Sequence, residues 1–341
     1  MHLRFLTGRK GVLFGTMVLA ALAAAPSLLG SKYDISLLVE CLIWALFAMS
    51  LDLLLGYMGH ASFGHAAFFG TAAYVLAILN VRFNWSFLPA VLGALLVTLA
   101  VAALFGLVVS HMSGMAYLMV NFALAQVVWG LAYQWDTMTG GDNGIQGVAR
   151  PSFWGLDFSQ ISIYYYLVLV VFVLCTLALL LLVSSPFGMS IKAIKQSPSR
   201  MRVLGFNVWL HKYITYIIAG FFAGVAGIML ASFNSFVGAG DLDLLTNSRV
   251  VLMVLVGGAG TLFGPMLGGA LVVVLEAVIS AFTDRWPLVM GIMYIAVVLF
   301  LPGGLLGLGR AVRRPRSTPE PDDDAAPAET LTSSLVIGKR T

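Results

Sequence analysis

The chain has 341 residues, of which 60% are hydrophobic and only 10% charged, and its mean hydropathy is +0.96. Soluble domains carry about 25% charged residues, so this composition excludes an ordinary soluble fold and describes an all-α polytopic membrane protein. The formal charge of +4 gathers in the N-terminal tail, a central loop and the C-terminal tail, which is a topology signal. With no basic patch interleaved with aromatics, nucleic acid is not an expected partner.

A membrane span needs about 20 apolar residues. In chain order, such runs are predicted at 12–30, 35–55, 62–80, 87–109, 114–135, 161–183, 213–233, 244–256, 265–283 and 288–308. That makes about ten transmembrane helices, the eighth short, with a range of about 8–10 if a short segment is re-entrant. Arg4, Arg9 and Lys10 make 1–11 a cytoplasmic tail, and the run after it is long for a signal-peptide core, so it reads as an uncleaved first span. An even count then places both termini in the cytoplasm, with loop 136–160 outside and loop 184–212 inside. Residues 12–308 read as a single transmembrane domain. The segment 309–341, centred on PEPDDDAAPAET, is expected to be a disordered cytoplasmic tail.

Loop 136–160 carries Asp136, Asp142 and Asp157 against Arg150. Within it Thr139, Gly140, Gly141, Asp142, Gly144 and Gly147 supply turn chemistry. It either meets a soluble partner or outer gate, or forms a packed cap. Loop 184–212 holds Lys192, Lys195, Arg200, Arg202 and Lys212 and no acid. Ser185 and Pro186 are a helix start, the helix running to about Gln196. Ser197 and Pro198 repeat the signal, and Gly205 is a stop. Two short helices presented between membrane spans form a docking surface.

Glycine-rich interruptions occur at 56–70 (GYMGHASFGHAAFFG) and 256–270 (VGGAGTLFGPMLGGA). They read either as broken helices of a translocation pathway or as close helix crossings through small residues. No catalytic constellation and no phosphate-binding GxxxxGK[ST] appears. His60 and His65 do not share a helical face. The acids Glu40, Asp52 and Glu276 fall within or near the ends of apolar runs, where charge needs a partner or a cavity. Asp52 is expected near a cytoplasmic helix end and Glu40 near an external one, both reached by water. Glu276 either lines a cavity or pairs with a neighbouring subunit, and Arg249 is placed to pair with Asp241 or Asp243. Asn121 and Gln126 read as interhelical glue, and Cys41 and Cys175 as packing residues. An ion-coupled secondary transporter using Glu276 or Asp52 is the alternative functional reading.

Five motifs in order resemble one family. They are GYMGHASFGHAAFFGTAAY (56–74), the loop Thr139–Gly147, the stretch Ser185–Lys212 with Ala193-Ile194, Leu204-Gly205 and Val208 in register, the stretch Gly257–Ala270, and Pro302–Leu308. The chain resembles the LivM-type permeases of bacterial ABC importers for branched-chain amino acids. Asp52, His60 and Asn121 stand where asparagine, glutamine and threonine are usual, and Gln196–Ser199 lacks the usual acids before the second loop helix. The resemblance implies a multi-pass inner-membrane transport subunit that is not itself an enzyme and binds no cofactor. ATP and Mg²⁺ would sit on two cytoplasmic ATPase subunits, a second homologous permease would complete the path, and a periplasmic solute-binding protein would deliver cargo. It also implies an ATPase-coupling loop built on Ser185, Pro186, Gly188, Lys192, Ala193, Ile194, Pro198, Arg200, Leu204 and Gly205. Ala193, Ile194 and the Pro198–Gly205 helix would lie at the contact, with Lys192 and Arg200 at its rim. Pathway candidates are Ser62, Gly64, His65, Gly258, Gly260, Thr261, Gly264 and Glu276. Related permeases serve urea, amides and aromatic acids, so the cargo does not follow from the resemblance alone.

Overall fold

Ser31 accepts a hydrogen bond from the Tyr33 amide and so starts helix α1, Lys32–Asp52. The computed structural model describes residues 22–26, 31–153, 156–158, 160–300 and 304. The tails 1–11 and 309–341, and most of the expected 12–30 span, lie outside them. Helix α1 runs on as a π-helical turn, Leu53–Met58, and ends at Gly59, whose φ of +78° suits glycine. Its sequence is apolar on every side, which marks a fully buried helix. Every residue from 41 to 54 is buried. α1 is therefore the central post of the molecule.

The other helices assemble around that post. They are α2 (Ala66–Ala77, extended by a π turn Ile78–Arg82), α3 (Phe87–Val109), α4 (Gly114–Gln134) and the short α5 (Asp136–Thr139). Then come α6 (Ile161–Ser184), α7 (Pro186–Gln196), α8 (Pro198–Val203), α9 (Val208–Asn234), α10 (Leu244–Gly257), α11 (Phe263–Phe282) and α12 (Trp286–Phe300). α6, α9, α10 and α11 pack on α1, and α9 also carries α2 and α3. Among the described residues six helices are long and apolar enough to cross a membrane. Three more, Ala66–Arg82, Leu244–Gly257 and Pro287–Val297, are shorter and apolar. The all-α polytopic reading thus holds, whereas the described residues give six membrane-length helices rather than ten. The expected 62–80 span begins only at Ala66, because the chain before it is not helical.

α3, α4 and α6 expose large apolar residues such as Leu96, Leu104, Met115, Val127, Leu174 and Leu181. These helices are mostly unburied within the chain, which is the surface that hydrocarbon tails would cover. Their inner faces use small residues. On α3 the buried positions Ala90, Ala94, Thr98, Ala102 and Gly106 recur every four residues and form one seam. Gly220 and Gly224 of α9 meet it: a Cβ at Gly220 would come 2.9 Å from Ala102 and one at Gly224 3.0 Å from Thr98. Further along the same face of α9, a Cβ at Gly227 would run into the Phe69 carbonyl of α2. Close backbone approach through such residues holds membrane helices together.

The 136–160 loop is a packed cap rather than a loose tether. Gly140, Gly141, Gly144 and Gly147 all take positive φ, as the turn chemistry predicts. β1 (Ile145–Gln146) pairs antiparallel with β4 (Phe236–Val237) beyond α9. β2 (Ser152–Phe153) and β3 (Leu156–Asp157) form a second small ribbon. Thr139 is buried and its hydroxyl donates to the Ala132 carbonyl at 2.7 Å. Burial pushes the Asp241 carboxyl up from its ordinary value, and the Gly238 amide it accepts from only partly offsets this. Cys41 and Cys175 are free and buried, consistent with packing roles.

The seam gives a paired prediction. Gly227→Leu should cost about 1–3 kcal/mol or more through overpacking, read as a lowered unfolding temperature in detergent. Gly130→Leu, on α4 where nothing lies within 4 Å of a built Cβ, should change it little.

Candidate functional site

The basic loop folds as its capping signals dictate. The Ser185 hydroxyl accepts from the Gly188 amide at 3.3 Å and Pro186 opens α7. The Ser197 hydroxyl accepts from the Arg200 amide at 3.4 Å and Pro198 opens α8. Gly205 follows with φ +86° and open space around it, so its conformation is what requires glycine there. Gly188 is fixed by space instead: a Cβ would sit 2.5 Å from the carbonyls of Leu182 and Val183.

Inside the loop, Ile194, Met201 and Val208 bury one another, with Ala193 half-buried beside them. Ile194 is 1% exposed, so it clamps α7 to α8 and does not face outward. This corrects its expected place at a partner contact. The outward apolar residues are Val203 and Leu204, 88% and 68% exposed, with Met189 and Phe206 also exposed. Arg200 is exposed.

Lysines join this loop to the first broken segment. The Lys195 ammonium donates to the Gly56 carbonyl at 2.7 Å. The Lys192 ammonium lies 4.9 Å from the centre of the Tyr57 ring, and burial pushes its pKa down. Lys212 on α9 donates to His60 Nε2 at 3.1 Å, while the other ring nitrogen faces the Met58 carbonyl at 3.1 Å. With Nε2 accepting, Nδ1 carries the hydrogen and donates to Met58. His60 is therefore neutral. Burial first, and the Lys212 charge second, hold its pKa below the ordinary value.

The two glycine interruptions meet next to these lysines. The Gly260 amide donates to Asp52 Oδ1 at 2.7 Å, and the Leu262 amide donates to the Tyr57 hydroxyl at 3.3 Å. A Cβ at Gly56 would collide with both the Asp52 carboxylate and the Gly260 amide nitrogen. Gly257, Gly264 and Gly268 fold α10 back onto α11 at backbone distance. Gly258, Gly260 and Thr261 form the turn between them, Thr261 donating to the Gly258 carbonyl at 2.9 Å. Gly304 also presses on the Gly258 backbone. Asp52 is fully buried. Water does not reach it, contrary to expectation, because this turn covers it.

Beyond Gly59 the chain stays non-helical to His65 and runs between helices. Non-helical backbone at membrane depth is tolerated where protein buries it, and side chains tie this stretch to its neighbours. Asn121 of α4 donates to the Ser62 hydroxyl at 2.9 Å and accepts from Tyr216 at 2.8 Å. Gly64 fits against the Asn121 backbone. The Ser50 hydroxyl donates to the Phe47 carbonyl at 2.7 Å, so the His65 Nε2–H donates to Ser50 at 2.8 Å. The His65 ring stacks on Phe47. Asn247 of α10 accepts from the Ala66 amide at 2.7 Å, capping α2 from another helix.

The structure thus gathers Ser62, Gly64 and His65 in one sealed crossing, and Gly258, Gly260, Thr261 and Gly264 in a second beside it. Glu276 belongs to neither. It pairs with Arg249, which replaces the expected partners Asp241 and Asp243, because Arg249 points across α11 rather than back to its own helix start. Asn121 serves as interhelical glue, as read. Ser50, Tyr57 and Asn247 were not anticipated as members of the site, nor was Tyr117 of α4, which packs edge-on against His60. Asn247, a lone amide in the short apolar run 244–256, carried a signal of its own.

A conserved-sequence family described as branched-chain amino acid transport system / permease component matches residues 35–300. The chain belongs to that family. It is similar to the high-affinity branched-chain amino acid transport system permease protein LivM of Salmonella typhimurium, 25% identical over 317 residues, 86% of this chain and 75% of the relative. The LivM protein of Escherichia coli K12 shows the same identity and coverage. The LivH permease protein of Salmonella typhimurium is 25% identical over 289 residues, 77% of this chain and 91% of the relative. No solved structure matches this chain.

The neutral histidine gives a pH prediction. Its folded pKa lies below the ordinary 6.5, so the unfolded chain binds more protons below that pH. Stability is complete above about pH 6.5 and declines as pH falls through it toward the folded value. Unfolding temperature in detergent should drop between pH 7.5 and 5. His60→Gln should make that drop smaller.

Proposed function

We propose that this chain is the membrane permease subunit of an ATP-driven importer for branched-chain amino acids, set in the bacterial inner membrane with loop 184–212 in the cytoplasm. A second homologous permease completes the translocation path. Two cytoplasmic ATPase subunits, which carry the ATP and Mg²⁺, dock on α7 and α8 through Val203, Leu204 and their neighbours. A periplasmic solute-binding protein delivers cargo to the 136–160 cap. Family membership supports the permease role, and the names of the relatives support the cargo class.

The observation that carries the coupling mechanism is the hydrogen bond from Lys195 to the Gly56 carbonyl. It ties the surface an engine would push to the backbone of the first interruption, which the second interruption locks through Asp52 and Gly260. A hydrogen bond from a charged donor contributes about 1.5–3 kcal/mol, less here because Lys195 remains exposed. Even about 1 kcal/mol of difference between two states shifts their balance roughly fivefold. An ATPase that moves α7 differently in its two nucleotide states therefore biases the joint between the broken helices. Rocking about that joint alternates access.

An ion-coupled carrier built on Glu276 or Asp52 fits the geometry less well. Glu276 is held by Arg249, and Asp52, whose Oδ1 accepts from the Gly260 amide, is fully buried, out of reach of an ion in this state.

Lys195→Met keeps the stem length and removes the donor. In proteoliposomes holding the full importer, uptake of leucine per ATP hydrolysed should fall about fivefold while the complex still assembles. An unchanged ratio would count against the coupling route.

A further inference from the structure

One peripheral helix differs from the others in what it shows outward. On α3 and α6 every exposed residue is apolar except Tyr166, whose hydroxyl is taken up by the Ala23 carbonyl. On α4 Gln134 is exposed and Gln126, near the middle of the helix, is half-buried. Among the described residues neither amide makes a hydrogen bond, and neither amide atom of Gln126 is sealed from the surface. Gln126, Gly130 and Gln134 lie four residues apart, so they line up as one stripe leading to the 136–160 cap. Nothing lies within 4 Å of a Cβ built on Gly130. At the cap end of the stripe opens a groove of about 300 Å³ lined by Gly130, Leu131, Gln134 and Trp135, a size that holds a small ligand.

Hydrocarbon tails cannot satisfy these amides. Unpaired donors and acceptors are costly in lipid, and polar side chains within a span face a partner or a water-filled cavity. Asn121, on the same helix, is satisfied inside the chain by Ser62 and Tyr216. Gln126 and Gln134 are not, so whatever meets them comes from outside the chain. The expected pathway residues Ser62, Gly64 and His65 are packed shut at their crossing. A path completed by a second permease must then run along an outer face. The apolar faces of α3 and α6 offer a solute no hydrogen bond, whereas the α4 stripe offers two amides and a gap between them.

We infer that Gln126, Gly130 and Gln134 form the wall that this chain contributes to the cargo path, the two amides serving as successive stations for the head group of an amino acid. This rests on the importer reading. A carboxamide donates to the cargo carboxylate and accepts from its ammonium, so one side chain serves either end. Being uncharged, it holds neither end tightly, and passage needs contacts that let the solute leave as well as enter. Val127 and Leu131, 60% and 55% exposed, flank the stripe and suit an apolar cargo side chain.

The test uses the full importer in proteoliposomes, where the native Cys41 and Cys175 are buried. Gln126→Cys, Gly130→Cys and Gln134→Cys should react with a charged, water-borne methanethiosulfonate about tenfold or more faster than Leu96→Cys on α3 and Leu174→Cys on α6, because only the thiolate reacts and hydrocarbon suppresses it. Gln126→Leu should lower leucine uptake about tenfold through loss of a hydrogen bond to a charged group, and Gln126→Asn should recover part of it. Binding-protein-stimulated ATP hydrolysis and co-elution with the second permease should not change in either variant. Stripe thiols as unreactive as those on α3 and α6 would place the stripe against lipid or a packed helix and overturn the path. Wild-type uptake in Gln126→Leu would overturn the role of that amide, and loss of co-elution would make it an interface contact instead. A wild-type complex that moves no leucine while the stripe thiols react would overturn the cargo reading and leave the path standing.

Discussion

Everything in the membrane domain hangs on a place where no side chain fits. At Gly56 a single added methyl would strike the Asp52 carboxylate and the Gly260 amide together. That contact brings the end of α1 against the turn between α10 and α11. It leaves the Gly260 amide with an ionisable acceptor at 2.7 Å and the Gly56 carbonyl free for Lys195. Three distant stretches of sequence meet there only because glycine removes the bulk that would separate them. The central post, the return of α10 on α11 and the basic loop are consequently one mechanical unit.

The partial helices follow from the same economy. A chain that leaves its helix inside a membrane must satisfy its freed backbone groups with protein. Between Gly59 and His65 the His60 amide returns to the Leu54 carbonyl, the side chains of Ser62 and His65 are tied to Asn121 of α4 and Ser50 of α1, and the Ala66 amide is met by Asn247 of α10. These polar side chains are costly in an apolar interior unless paired. Here each pairs across helices, so they hold the break in one conformation. A break with defined geometry is what a gate needs, whereas a merely flexible one would leak.

Much of this was legible in the residues. Ser185-Pro186 and Ser197-Pro198 announced α7 and α8 because a capping hydroxyl followed by proline has few other local uses. The apolar runs announced the spans because their length is set by the bilayer, and the glycine clusters announced the breaks. What could not be read was which break touches which helix. Asp52 looked accessible from its place near a helix end, yet the covering turn lies some two hundred positions away in sequence. Arg249 had two acids just before it on its own chain segment, but its partner on α11 is decided by helix packing. Ile194 matched a surface motif and proved to be the clamp beneath that surface. Periodicity assigns faces only against a known neighbour, and in a bundle that is apolar throughout, the neighbours come from packing.

The most direct test of this account is Gly56→Ala, with leucine uptake and ATP hydrolysis measured together on the assembled importer. The account predicts a complex that assembles and turns over ATP while transport is lost, because the methyl wedges the joint between the two interruptions. Transport at the wild-type rate would show that this contact does not move with the cycle, and would contradict the account.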